Sequence, residues 1–489
     1  MSFLVTELHP FVFPALWTIV PAAVNFVSEA PMPNTVEEPA RLTPLVDGYD
    51  VVIAGAGTAG IVAAIAAARN GARVLLVERA GFLGGHIPGQ LLEHSAGWFD
   101  ARGTRIVGGI PDELVDRLIA CGGSPGHVRD DTGYTRYRLP MNHEVYKSVV
   151  TAWVAEAGVD ALLFSPACSV LSADTTLTGI IVENKSGRTA YSAKVMVDCT
   201  GDADLAWMAG CELLSSPDAS TQPVSLLFKL GGIDHGPLLD YVAGYPTEFK
   251  MGVTPGQLRQ EPHVNLWGFG SLLMRAHADG VLSLLRHELH YSGEVATGEA
   301  VVNLTRYGAD ATRAEDLAAA EIVLRRQVIE ALAFFRGYVP GCKNAFLAAT
   351  ASGVGVRESR RIAGAYVLTE GDIRIGRHFP DNIAIGGFPI DSHDPKGPGM
   401  DGTEPIRRGY GIPYRVLLPQ RVHGLIVAGR CISADRRALA SARITGTCMA
   451  MGQAAGTAAA LSAASGHFPR ELPISGLQEV LRQQGAVIA

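Results

Sequence analysis

This chain of 489 residues lacks the cysteine patterns that announce a metal site or a disulfide scaffold. Its seven cysteines (Cys121, Cys168, Cys199, Cys211, Cys342, Cys431 and Cys448) are odd in number and contain no C-x-x-C pair. That spacing excludes a zinc ribbon or an iron–sulfur cluster and leaves no disulfide framework, so a reducing, cytoplasmic compartment is expected. Charge is sparse too, at 18% Asp, Glu, Lys and Arg with a formal net charge of −7. No block of Lys or Arg occurs, which argues against a nucleic-acid partner. Residues 11–27 are apolar, but Pro14 and Pro21 interrupt them and they fall short of the ~20 residues of a membrane span. No Lys or Arg precedes Arg41, so the positive start of a secretory signal is missing. Residues 1–47 are therefore expected to be an extension and linker, with the apolar part packing on the body or on a neighbouring copy in a homo-oligomer. A membrane-surface anchor, and a mis-assigned start or flexible tail, are the alternatives.

Glycine is abundant, with 56 residues, and hydrophobic residues make up 47% of the chain, enough for a sizeable globular core. From Asp50 the chain reads DVVIAGAGTAGIVAAIAAARNGARVLLVERA. Val51–Ala54 forms a continuous apolar strand of the kind buried on both faces. Gly55, Gly57 and Gly60 then fit G-x-G-x-x-G, an Ala-rich helix stops at Asn70-Gly71, and a second strand, Val74–Val77, ends in Glu78. In this setting the first glycine turns the chain, the second admits a pyrophosphate and the third lets helix pack on strand. The helix N-terminus offers unpaired N–H groups, and the acid binds ribose hydroxyls. Residues 397–402, GPGMDG, match the same spacing, but with no strand before and no helix after they read as a loop.

Later segments decide between dinucleotides. Gly84 and Gly85 follow in RAGFLGGHIPGQL, a hairpin leads into VDCTGDADLAWMAG, and a short strand near the C-terminus runs into Gly429-Arg430. YDVVIAGAGTAGIVAAIAAARNGARVLLVERAGFLGG, VDCTGDADLAWMAG, GVRESRRIAGAYVLTEGDI and AGRCIS with TCMAMGQAAGTAAA together resemble the FAD-dependent oxidoreductase family of glutathione-reductase-type flavoproteins, over residues 48–465. That family is distantly similar to the fumarate reductase and succinate dehydrogenase flavoproteins. The resemblance implies FAD as cofactor, with Gly55, Gly57 and Gly60 on its pyrophosphate and Glu78 and Arg79 at the adenosine ribose. Gly84 and Gly85 would pass the flavin side, and Cys168 would touch adenine through its backbone. Thr200, Gly201 and Asp202 would line the adenine-ribose end, and Gly429 and Arg430 the ribityl chain. A helix starting at Gly452-Gln453-Ala454 would aim its N-terminus at the flavin edge where negative charge gathers on reduction. No second dinucleotide fold for NAD(P)H is visible.

The expected fold class is α/β: a discontinuous Rossmann-like FAD-binding domain, residues 48–225 and 405–489, with an inserted α+β substrate or cap domain, residues 226–404. Within the insert a helix is expected over 313–336, with Thr312 and Glu315 as a capping box and Leu324, Val328, Leu332 and Phe335 as a core stripe. Candidate chemistry lies in five residues. Arg357, with Arg360 and Arg361 on one face if helical, suits a substrate anion or, more blandly, pairing with Glu358, Glu370 or Asp372. His393, between Asp391 and Asp394, suits proton transfer, with metal ligation or an idle loop histidine as alternatives. His86, after the glycine pair, falls near the flavin as a covalent link, a substrate contact or packing. Tyr414 offers a phenolic donor or a core side chain, and Arg443 is a candidate substrate contact. No metal site is expected: His287 and His290 lack a third ligand, and Cys431 and Cys448 bracket neither a metal nor a redox pair. The expected reaction is hydride transfer between a small organic substrate and flavin N5, with oxygen or an external carrier as second substrate. A flavin-dependent reductase of an activated C=C bond and a non-catalytic FAD protein are the alternatives.

Overall fold

The computed structural model describes residues 35–92, 94–214, 221–395 and 397–489. The apolar segment 11–27, and with it the expected contact to a second copy, lies outside the described residues. Strand β1 (Leu45–Ala54) leads through the glycine turn into helix α1 (Thr58–Arg69), and β2 (Val74–Val77) returns beside β1 in parallel. The long strand β3 (Gly187–Asp198) pairs parallel on the other side of β1. Asp160–Leu162 extends the sheet beyond β2, and an antiparallel meander, Ala167–Ala173 and Thr176–Asn184, extends it beyond β3. Leu425–Val427 returns from far down the chain to pair parallel with β3, so the sheet closes with residues from both ends of the sequence. Val51, Val52, Ile53, Leu75 and Leu76 are all buried, which explains their unbroken apolar run.

A second sheet of five antiparallel strands belongs to the insert. Its order is β4 (His263–Gly268), β5 (Leu289–Glu294), β6 (Glu299–Asn303), then Phe228–Gly231 and Phe346–Thr350. Helix α2 (Ala314–Tyr338) packs Leu324, Val328 and Phe335 into this sheet's core, as the stripe predicts. The capping box does not form: Arg313 is the N-cap without a side-chain bond, and Thr312 donates instead to Asp310. The insert's own core runs from Val224 to Ala351, whereas Ile362, Leu368, Ile383, Ile390 and Ile406 pack into the first core. The insert is thus smaller than the expected 226–404, because the chain after the arginine-rich stretch rejoins the nucleotide-binding body. The GPGMDG segment spans the turn of a hairpin after strand Ile390–His393 and the start of its second strand, Met400–Glu404, and opens no helix. The last long helix, α3 (Thr445–Ser465), lies buried against α1. No helix among the described residues is long and apolar enough to cross a membrane.

Candidate functional site

One cavity of about 650 Å³ opens between the two sheets. Its floor is backbone. Gly55 has a φ of +92°, and a Cβ there would lie 2.4 Å from the Cys199 carbonyl oxygen. A Cβ on Gly60 would lie 1.8 Å from the Gly55 oxygen, so these two glycines are required by the protein's own packing. Gly57 differs: its Cβ would meet nothing within 4 Å, although it lines the cavity. Gly85 crosses it closely, since its own Cβ would lie 2.7 Å from the Gly57 Cα, and Gly84 packs against Tyr146. Helix α1 starts at Gly57 with no side-chain cap and no acid in its first turn. Its N–H groups and positive dipole end thus remain available to an anion.

At one end of the floor Glu78 accepts from Ala56 N at 2.7 Å and Ala80 N at 2.8 Å, which fixes its carboxylate at the tip of β2. Arg79, Thr200, Gly201, Asp202, Gly429 and Arg430 line the same end. Arg430 spans Gly201 to reach Asp202 at 2.7 Å, and Ser359 donates to the same carboxylate oxygen. Burial alone would raise the Asp202 carboxyl, but Arg430 and these bonds bring it below its ordinary value.

Two expected cofactor contacts fall elsewhere. Cys168 is exposed on the outer meander strand, away from the cavity lining. Gly452, Gln453 and Ala454 lie two turns inside α3 and do not line the cavity. A Cβ on Gly452 would lie 2.2 Å from the Ala59 oxygen, and Gln453 accepts from Ile110 N, so these residues dock α3 onto the body. The helix begins seven residues earlier: Ile444 is its uncapped N-cap, and Ile444, Thr445 and Cys448 face the cavity. Gly446, placed where a helix breaker reads naturally, is inside the first turn because Gly97 and Ala96 crowd it too closely for any side chain.

The opposite end holds side chains. Asp391 is the hub: Arg443 reaches its carboxylate at 3.3 Å, His393 Nε2 lies 3.7 Å away, and Tyr134 donates to it at 3.4 Å. Burial opposes the Asp391 charge, but His393, Arg443 and Arg357 together hold the carboxyl well below the usual range. Burial, then Arg357, push the His393 imidazole down to about 4 despite Asp391. Arg357 lines the cavity, donates to Pro223 O at 2.7 Å and to Ser225 Oγ, and forms no ion pair among the described residues. Its stretch is irregular, with a bend at Arg357, and not helical, so Arg360 and Arg361 diverge from it. Arg360 pairs with Asp204 at 3.0 Å and lies over Trp207, while Arg361 donates to Ala434 O. Arg436 and Arg437 pair with Glu358 and Glu370. His86 faces the cavity beside Thr445 Oγ1 at 3.4 Å, and enclosure by protein, then Arg430 and Arg443, push it down to about 4. Tyr414 is a core residue: its buried hydroxyl donates to Pro469 O at 3.0 Å and it does not line the cavity.

The sequence does not point to His94, Asp130, Tyr134, Asn265 and Asn303, and it offers His290 only as part of an incomplete metal pair, yet all six line this end. The polar–apolar alternation of HVNLWG was the available signal, since it places Asn265 opposite a buried Val264 and Leu266. Among the described residues no group of three His, Cys, Asp or Glu is placed to hold a metal ion.

An uncapped helix start on a glycine floor, with open space at the Gly57 Cβ position, fits a dinucleotide pyrophosphate, and a second uncapped helix start faces the same cavity, so fold and site define a dinucleotide-binding protein. The family model for FAD dependent oxidoreductase matches residues 50–481, and the chain belongs to that family. It is an FAD-dependent enzyme. Over 166 residues it is 27% identical to the digeranylgeranylglycerophospholipid reductase of Picrophilus torridus, a match covering 31% of this chain and 39% of that relative's length. It is similar to a geranylgeranyl bacteriochlorophyll reductase-like protein of Thermoplasma acidophilum, at 13% identity and a TM-score of 0.47, covering 90% of this chain and 85% of that one. It is also similar to a myxobacterial chondrochloren halogenase, at 14% identity and a TM-score of 0.44, covering 90% and 79% of the two chains.

Proposed function

We propose that the enzyme is a dehydrogenase or oxidase that removes a hydride from an anionic small molecule at a C–H next to oxygen or nitrogen. Bound FAD supplies the two-electron acceptor. In this reading Gly55, Gly57 and Gly60 with the α1 N-terminus hold its pyrophosphate, and Glu78 and Arg79 its adenosine ribose. Gly84 and Gly85, Thr200 to Asp202, and Gly429 with Arg430 line its length. The Thr445 end of α3 replaces Gly452 as the dipole aimed at the flavin edge.

The observation that carries the reading is His393, held 3.7 Å from the Asp391 carboxylate at the cavity end away from Glu78. The Asp391 carboxylate 3.7 Å away favours the tautomer with the proton on the facing Nε2, which leaves Nδ1 as the base. A neutral imidazole at pH 7 takes the proton that leaves a substrate O–H or N–H as the hydride departs. Reduction of a double bond would instead need a proton donor there, and burial together with Arg357 disfavours the protonated ring. Arg357, with no carboxylate of its own, binds the substrate's anionic group, and Arg443 stays on Asp391 and fixes it. Oxygen or an external carrier serves as the second substrate.

Anaerobic mixing of the holoenzyme with small hydroxy and amino acids, alcohols and amines tests this. Bleaching of the flavin band by an anionic member, slowed in His393→Gln, is the expected result. If none bleaches it while activated alkenes re-oxidise chemically reduced enzyme, the reductase reading replaces this one.

A further inference from the structure

The insert's sheet turns one face to its own core and the other to the cavity. Val264, Leu266, Leu289, Tyr291, Ala300 and Val302 point into that core. Their neighbours alternate to the opposite face, where register pairs Asn265 with Ser292, Trp267 with His290, and His290 with Asn303. Directly paired residues on one face stand about 5 Å apart and diagonal ones about 7–8 Å, so His290 sits beside Asn303 and diagonal to Asn265, and the three form one polar roof over the glycine floor that lines the cavity. His94 joins them from the body, tied through Nδ1 to Ser292 Oγ at 3.0 Å.

The roof is built and incompletely satisfied. Asn265 is only 5% exposed, its Nδ2 donates to Asp130 at 3.1 Å, and its Oδ1 is buried with no partner. The amide cannot flip to cure this, because its oxygen would then face the Asp130 carboxylate. Asp130 already accepts from Thr132 and Thr135, so it serves to aim Asn265. Trp267 packs against His290 with ring centroids 4.0 Å apart and planes tilted by 43°, which fixes that ring. Asn303 makes no side-chain hydrogen bond among the described residues. Burial keeps both His94 and His290 neutral. The roof therefore offers neutral donors and acceptors only. The nearby cation Arg138 is occupied by Asp131 at 2.9 Å and His263 O. A hydrocarbon here would leave Asn265 Oδ1 unpaired, and an anion would face it and Asp130 behind it.

From this arrangement we infer that Asn265, His290, Asn303 and His94 form a subsite for a hydroxyl-rich portion of the substrate, of polyol or sugar-acid type. The inference rests on the dehydrogenase reading for the placement of the anionic end at Arg357, and on the roof alone for the hydroxyls. Gluconate, glucuronate, sorbitol, lactate and geraniol are titrated into the anaerobic holoenzyme while the flavin spectrum is followed. The hydroxyl-rich probes are expected to perturb or bleach the spectrum saturably and to bind more tightly than lactate or geraniol. Asn265→Leu and Asn303→Leu should each weaken them by about tenfold, the factor given by one or two lost neutral hydrogen bonds. Asn303→Leu leaves the Asp130 network intact and so keeps the test valid should Asn265→Leu misfold. Saturable perturbation without bleaching upholds the subsite and removes the dehydrogenase reading for these compounds. Bleaching by lactate with no binding of any hydroxyl-rich probe, tighter binding of geraniol, or unchanged affinity in Asn303→Leu overturns the subsite.

Discussion

Floor and roof of the same cavity are made from different materials. On the floor Gly55, Gly60 and Gly85 bring backbone against backbone so closely that any Cβ would collide, and two helix starts supply the polar groups. On the roof the polar groups are side chains, Asn265, His290 and Asn303, set on alternate positions of a sheet whose other face is an ordinary apolar core. A floor of this kind tolerates no substitution and suits a cofactor that never changes. A roof of this kind exchanges residues without disturbing its core and suits a substrate that differs from one relative to the next.

The largest effect that would break this contrast lies within the floor itself. Gly60→Ala places a methyl group 1.8 Å from the Gly55 oxygen, and the expected outcome is failure to fold or complete loss of flavin. Gly57→Ala is expected to fold and melt like the wild-type apoprotein while retaining little FAD, because its Cβ meets open cavity and not protein. Flavin content per chain and the apoprotein melting temperature check both. Equal behaviour of the two variants would mean that the open space at Gly57 is not where the pyrophosphate lies. Next in size is the proton-transfer pair. His393→Gln and Asp391→Asn should each slow flavin reduction by about 10²–10⁴-fold with flavin content unchanged. Asp391→Asn should also loosen Arg443, which depends on that carboxylate.

The floor was legible in the sequence because it is local: glycines, strand, helix and acid follow one another within Val51–Glu78, and each spacing has one physical meaning. The start of α3 was misread by seven residues for a related reason. Its true first turn contains Gly446, and its interior Gly452 and Gly456 are small so that α1 can approach, so the glycine pattern suggested a beginning where there is a contact. Arg357, Arg360 and Arg361 have the spacing of one helical face, yet the chain there is irregular and sends them to three different partners. The roof was not legible because its members come together only through strand register: Asn265, His290 and Asn303 are separated by loops whose lengths say nothing about which residues pair. His290 was even noticed, beside His287, but as half of an absent metal pair.

A pH series sharpens the same contrast, since four depressed histidines belong to the substrate end, although His127 and His143 outside the cavity are pushed down to about 4 as well. Burial pushes His86, His94 and His393 down to about 4 and His290 to about 3, with Arg neighbours adding to the effect. An unfolded histidine titrates near 6.5, so between about 6.5 and about 4 the unfolded chain binds more protons than the folded one. Stability from these groups is therefore complete above the unfolded value and lost as pH falls toward the folded one. The melting temperature of the holoenzyme should drop steeply from about pH 7 to about pH 5. His290→Phe, which keeps a ring packed against Trp267, should show a shallower drop.

The smallest effect is expected at Tyr414, which separates cavity from core. Its ring is buried away from the lining, and its one polar bond runs to Pro469 O at 3.0 Å. Tyr414→Phe leaves the ring's packing in place and strands only a carbonyl, which has a second lone pair, so the cost should be about 1 kcal/mol of stability. Flavin content and the rate of flavin reduction should match the wild type. A rate falling with that of His393→Gln would put the hydroxyl in contact with the reacting atoms. That would require Pro469 to release it and the core behind the floor to open, and a change in proteolysis or hydrogen exchange around Pro469–Glu471 would reveal the opening.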